Sequence, residues 1–236
     1  MMPDRSIVSE SVKAVSVTSI VPTILEIICR TTGMGFAAVA RVTPERWIAC
    51  EVRDEIQFGL KVGGELKIDS TICHEIRQSG KEVLIDDVIN DEYFCSHHTP
   101  LMYGFRSYIS VPIWLADNSF FGTLCAIDPN PAILVHTPIR GLFKVYSSLI
   151  AFLIDAQKLP DARYRKLRQQ CVVSLRAHLV RMTGYSLDQH TAPLLKEPKN
   201  VWKDHEKLER EVELLTALLN DLKRNNLSSA SGNISV

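Results

Sequence analysis

Residues 106–128, "RSYISVPIWLADNSFFGTLCAID", constrain the fold more than any other stretch. Two apolar, β-branched and aromatic runs flank Asp117-Asn118, a tight-turn signal, so the chain folds back on itself as a hairpin of strands over 106–116 and 119–128. Side chains alternate across a strand. Ile109, Val111 and Ile113 therefore point to one face, and Tyr108, Ser110 and Pro112 to the other. One face can pack on helices while the other lines something more polar.

The flanking segments supply the rest of a layered domain. In "VPTILEIICRTTG" (21–33), Ile24, Leu25 and Ile28 follow helical spacing between an early proline and a terminal Gly33. The runs 35–42 and 46–52 read as strands joined by Thr43-Pro44-Glu45. "DSTICHEIRQSG" (69–80) reads as a short helix that Asp69 or Ser70 can cap and Gly80 can end. "KEVLIDDV" is a short strand. After the chain break "DPNP", Thr137-Pro138 should start a long helix, the threonine capping free amides. The pattern predicts an α+β fold, an antiparallel sheet flanked by helices, with an α-helical hairpin or coiled coil at the C-terminal end.

The 236 residues allow one sizeable core plus an extension. The 27 basic and 27 acidic residues cancel, so no whole-chain field draws the protein to nucleic acid or a membrane surface. No apolar run reaches the ~18 residues of a membrane span. The start, "MMPDRSIVSE", lacks the basic-then-apolar pattern of a secretory signal, so a cytoplasmic location is expected. The six cysteines stand singly, without the pairing of a zinc ribbon or disulfide framework, and should be reduced.

"DEYFCSHHTPLMYGF" (91–105) gathers Cys95, His97 and His98. Adjacent histidines diverge on an extended or helical backbone, so no metal site is expected. Because this loop leads into the strand carrying Tyr108 and Ser110, the expected ligand pocket is lined by Tyr93, His97, His98, Tyr103, Tyr108 and Ser110. Cys73 and Cys95 sit among Ile72, Ile76, Tyr93 and Phe94. Apolar neighbours should raise their thiol pKa values and leave both structural.

"YGFRSYISVPI" followed by "FFGTLCAIDPNP", with "STICHEI" and "LIDDVINDEYF" before them, resembles GAF domains of bacterial sensor proteins and histidine kinases. The likeness spans about residues 18–158. It implies a sensory module in signal transduction, such as a two-component system, with a small-molecule pocket on one sheet face and no enzymatic activity. The resemblance also covers bilin- or haem-type photoreceptors and redox sensors. Where a pigmented domain carries its attaching cysteine and histidine, this chain has Ser96-His97. GAF-type free methionine sulfoxide reductases are similar too, and Cys73 and Cys95 fall near their cysteines. The cofactor is unknown from sequence.

The organisation read from the chain is an N-terminal arm or short helix (1–18), the GAF-like domain (19–158), a helical hairpin or coiled coil (159–224) and a disordered tail (225–236). Tyr164, Leu167, Cys171, Leu175, His178 and Met182 form one helical stripe. Val201, His205, Leu208, Val212, Leu215, Leu219 and Leu222 recur at alternating spacings of four and three, a coiled-coil seam. The expected partners are a second copy of the chain, paired through these helices and 138–158, and a signalling protein at the C-terminal helices. The seven basic residues from Lys158 to Arg181 read first as a solvated helix face, with a docking surface for an acidic partner as the alternative. His178-Leu179-Val180-Arg181 has the spacing of a histidine-kinase phosphoacceptor box, but a half-buried structural histidine is the expected role.

Overall fold

The computed structural model describes residues 5–18, 20–183 and 204–227. Val201, the loop 184–200 and most of the expected tail lie outside them. A six-stranded antiparallel sheet runs β3-β2-β1-β6-β5-β4. Its strands are β1 (Phe36–Val42), β2 (Trp47–Asp54), β3 (Glu65–Leu66), β4 (Val83–Ile85), β5 (Ser107–Trp114) and β6 (Phe120–Asp128). The hairpin forms as read, with Asn118 at φ 62 inside its turn and Asp117 Oδ1 accepting from Ser119 N. That turn sets the register in which Tyr108 faces Ile127 and Ser110 faces Cys125.

Pleating sends successive residues to opposite layers. Ala37, Val39, Ile109, Val111, Ile113, Leu124 and Ala126 join one apolar cluster with helices α1 (Arg5–Ser16), α2 (Val21–Thr32) and α5 (Ile139–Ala156). Phe36, Ala38, Trp47, Tyr108, Cys125 and Ile127 face the other side, beneath α3 (Ile72–Ser79) and α4 (His98–Tyr103).

Two expected caps are replaced. A 3-10 turn over Ile68–Ser70 precedes α3, which begins after Thr71 without a side-chain cap; Ser70 Oγ instead donates to Lys67 O. Thr137 donates to Leu134 O and leaves the start of α5 to Pro138. The glycines do act as helix stops: Gly33 and Gly80 both take left-handed φ values, 75 and 70.

The long helices α6 (Asp161–Thr183) and α7 (His205–Leu227) complete the helical layer. Leu167, Cys171, Leu175, Leu208, Leu215, Leu219 and Leu222 are buried in the same cluster as α2 and α5. The leucine seam is therefore covered within one chain, and the apolar stripe of α5 is already occupied. His205, read as a member of the seam, is exposed. The buried polar residue of α7 is Glu211. Among the described residues no single helix is long and apolar enough to cross a membrane.

Candidate functional site

Beneath α3 and α4 the sheet leaves a narrow recess of about 40 Å³, partly open to solvent. Phe36, Trp47, Tyr108, Cys125 and Ile127 form its floor. Ile72, Cys73, Thr99 and Tyr103 come from the helices above, Thr71 from the residue that leads into α3, and Phe58 and Leu60 from the loop after β2. The walls are aromatic and aliphatic with a few polar atoms, the composition of a small-molecule site.

Donors from the floor surround the sulfur of Cys73, which α3 lowers onto the sheet. Thr123 Oγ1 donates to Cys73 Sγ at 3.3 Å, and the Tyr108 hydroxyl lies 3.4 Å from it. Trp47 is only 2% exposed and its Nε1–H has no hydrogen-bond partner, yet its positive end faces the same sulfur. Cys125 Sγ donates to the Ala38 carbonyl at 3.6 Å, and its thiol lies on the same side of the sheet as Cys73. These contacts lower the Cys73 pKa, Cys125 contributing most, against the opposing effect of burial. Cys125 moves the other way, because the neighbouring Cys73 and burial both hold its proton in place. The apolar-neighbour argument for a raised pKa at Cys73 is thus corrected. Ile72 and Ile76 flank it in sequence, but the sheet beneath supplies donors that sequence neighbours do not reveal. Burial raises Tyr108 well above the ordinary phenol value.

The six residues expected to line the pocket separate into two groups. Tyr103 and Tyr108 border the recess. Ser110 is buried beside Tyr108 on the same strand face, without a hydrogen bond of good geometry. Tyr93 is 64% exposed, and neither it nor the two histidines borders the recess. His97 and His98 instead fasten the covering loop. His97 Nδ1 accepts from Thr99 N at 3.2 Å and caps α4, which assigns Nε2–H as the donor to Glu75 Oε1 at 2.7 Å. His98 Nε2 reaches Asp69 O at 3.0 Å, and the two rings stack with centroids 4.5 Å apart. Thr99 Oγ1 donates to Ser70 O, and Tyr103 shares a 2.6 Å hydrogen bond with Ser70 Oγ. Four contacts thus tie the segment 97–103 to 69–75. Cys95 is exposed and does not border the recess.

Sequence reasoning missed Trp47 and Cys125 and read Cys73 as structural. Cys125 was within reach, because the hairpin register and alternation place it on the Tyr108 face. Cys73 arrives there only when α3 packs on the sheet.

A second polar constellation joins the domain to its tail. The Tyr146 hydroxyl lies 2.5 Å from His178 Nε2, and His178 Nδ1 lies 2.6 Å from Glu211 Oε2. Arg181 grips the same carboxylate through Nε at 2.6 Å and a terminal nitrogen at 2.9 Å. His178 is fully buried with both ring nitrogens engaged. A neutral imidazole accounts for every proton: Tyr146 O–H donates to Nε2, and Nδ1–H donates to Glu211. Of the basic residues on α6, Arg181 is committed here, while Arg163 and Arg168 reach the carbonyls of Asn225 and Val17.

Solved structures of similar fold share little sequence. A far-red cyanobacteriochrome photoreceptor is 15% identical with a TM-score of 0.46, covering 65% of this chain and 94% of that one. A type II free methionine-R-sulfoxide reductase from Thermoplasma acidophilum is 11% identical with a TM-score of 0.47, covering 60% and 94%. The GAF domain of an Acinetobacter phosphoenolpyruvate-protein phosphotransferase is 12% identical with a TM-score of 0.44, covering 64% and 95%. No curated protein sequence matches the chain. The family model described as "GAF domain" matches residues 16–154, more than half of the chain and the whole sheet with its recess, and the protein belongs to the GAF domain family.

Proposed function

We propose that the protein is a non-enzymatic sensory GAF module of the cytoplasm, of the kind found with histidine kinases, whose recess binds a small planar ligand. The observation that carries this reading is the aromatic recess with a single unpartnered donor, Trp47 Nε1–H. An unsatisfied buried N–H is costly, and a ligand acceptor removes the penalty. The ligand is therefore a small, flat, mainly apolar molecule bearing a carbonyl oxygen or ring nitrogen, and the recess of about 40 Å³ widens to admit it.

The signal passes from the recess through the sheet. Tyr108 lies on β5, and Pro112 O on the same strand accepts from Ser147 Oγ on α5 at 2.5 Å. Tyr146, the preceding residue, holds His178 on α6, and His178 holds Glu211 on α7. A ligand that shifts β5 thereby shifts the docking of the C-terminal helices, which present the signal to a partner protein.

The test is thermal unfolding of the full chain with a panel of planar heterocycles. A binder at a hundred times its Kd stabilises by about 2.7 kcal/mol. Leu60→Trp, on the loop at the mouth of the recess, should abolish that gain. If no compound raises Tm, or Leu60→Trp responds as wild type does, the ligand reading is lost. A visible absorption band in the purified protein would favour a bilin or haem photoreceptor instead.

A further inference from the structure

The recess contains two thiols that a planar, hydrogen-bonded ligand does not require. We propose that Cys73 and Cys125 are a peroxide-responsive pair that closes to a disulfide inside the recess. The proposal does not rest on the ligand reading.

Placement separates these two cysteines from the other four. Cys73 on α3 and Cys125 on β6 both border the recess, so a molecule entering it meets both sulfurs. Cys29, Cys50 and Cys171 are buried in the cluster on the opposite face of the sheet, and Cys95 stands exposed on the covering loop. The surroundings of Cys73 suit a nucleophile. Thr123 Oγ1 at 3.3 Å, Tyr108 OH at 3.4 Å and the unpartnered Trp47 Nε1–H can all donate toward a thiolate and later toward an oxygen attached to that sulfur. Burial drives Cys29 and Cys50 the other way, to about 12, and Cys171 to about 11. Reactivity should therefore concentrate at Cys73, since the thiolate is the attacking form.

The oxidant is a small hydroperoxide, hydrogen peroxide being the simplest. The Cys73 thiolate attacks one peroxide oxygen, so an S–O bond forms and the O–O bond breaks. The departing hydroxide takes the Cys125 proton and leaves as water. The Cys125 thiolate then attacks the Cys73 sulfenic sulfur. An S–S bond forms, the S–O bond breaks, and hydroxide leaves as a second water with the proton Cys73 gave up on ionising. Two thiols and one peroxide become one disulfide and two waters. The new bond would draw α3 onto β6 and close the floor of the recess, making occupancy sensitive to oxidants.

The experiment treats the full chain carrying Cys95→Ser with stoichiometric hydrogen peroxide, followed by intact-mass measurement and non-reducing peptide mapping. We expect the loss of two hydrogens and one cross-link, Cys73–Cys125. In Cys125→Ser the reaction should stop at a Cys73 sulfenic acid that a cyclic dione captures. Thr123→Val, which removes one donor to the thiolate, should slow oxidation roughly tenfold. Circular dichroism checks that each variant is folded. A folded protein with no cross-link, a cross-link between other cysteines, or sulfinic acid at Cys73 despite an intact Cys125 overturns the proposal. Ligand binding by reduced protein is read separately, so either idea can fail without the other.

Discussion

Glu211→Ala is expected to release α6 and α7 from the GAF core without unfolding the sheet. The carboxylate accepts from His178 and is gripped by Arg181, so its loss strands an imidazole N–H that no water reaches. An orphaned buried donor costs about 1–3 kcal/mol. Arg181 adds little, because it is 45% exposed and regains water once released. Proteolysis of transiently opened segments follows the opening equilibrium, and about 1.4 kcal/mol is tenfold. Tryptic cleavage within α6 should therefore rise tenfold to a hundredfold, while Glu211→Gln, which keeps an acceptor, should be milder. Equal cleavage of Glu211→Ala and wild type would show that the network does not hold the tail.

The same network makes docking sensitive to acid. Desolvation comes first among the causes that lower the His178 pKa below its ordinary 6.5, outweighing the pull of Glu211. Folding therefore favours neutral imidazole, and its contribution is full above pH 6.5 and lost as pH falls below it, by at most about 1.36 kcal/mol per pH unit. The other groups facing it do not reverse this. Burial opposes ionisation of Glu211, but Arg181 and His178 outweigh it and hold the carboxyl below its usual range, while Tyr146 is raised far above this window. Protection factors in α6, which remove the intrinsic base catalysis of amide exchange, should be lower at pH 5.5 than at 7.5. His178→Gln should flatten that difference, and an unchanged pH dependence in the variant would assign the effect elsewhere.

Gly122→Ala should damage the fold itself. A Cβ at this position would stand 1.9 Å from the Ala40 carbonyl oxygen and 2.9 Å from its carbon, because β6 lies hard against β1 where Gly122 pairs with Arg41. Backbone cannot yield as a side-chain tip can. The expected cost is at the upper end of overpacking, about 3 kcal/mol or more. For a chain of this size that lowers Tm by roughly 6–12 °C. A change within two degrees of wild type would mean the strands can separate there at little cost. This glycine is conspicuous in "SFFGTLCAID" only as an interruption of an apolar run. Its role is a close approach of two strands.

Local chemistry carried much of the fold in advance. The Asp117-Asn118 turn, the alternation through Ile109, Val111 and Ile113, and the stops at Gly33 and Gly80 each depend on residues within a few positions of one another. Their periods and turn preferences are therefore legible in one dimension. The leucine seam was legible for the same reason, but not its partner. A stripe reports that a face must be buried, and α5 and α6 of the same chain bury it. The histidines of the 91–105 loop drew attention by composition, yet their contacts with Glu75 and Asp69 make them fasteners of that loop. Glu211 resembles the other charges of α7 until the helix is docked. Cys73 and Cys125 lie in separate elements far apart in sequence and meet only because α3 crosses the sheet. What sequence alone determined was the set of surfaces that had to leave water. Which polar groups were carried into the interior with them, and therefore had to find one another, was decided by tertiary packing, because the desolvation that makes such groups matter exists only once the layers close.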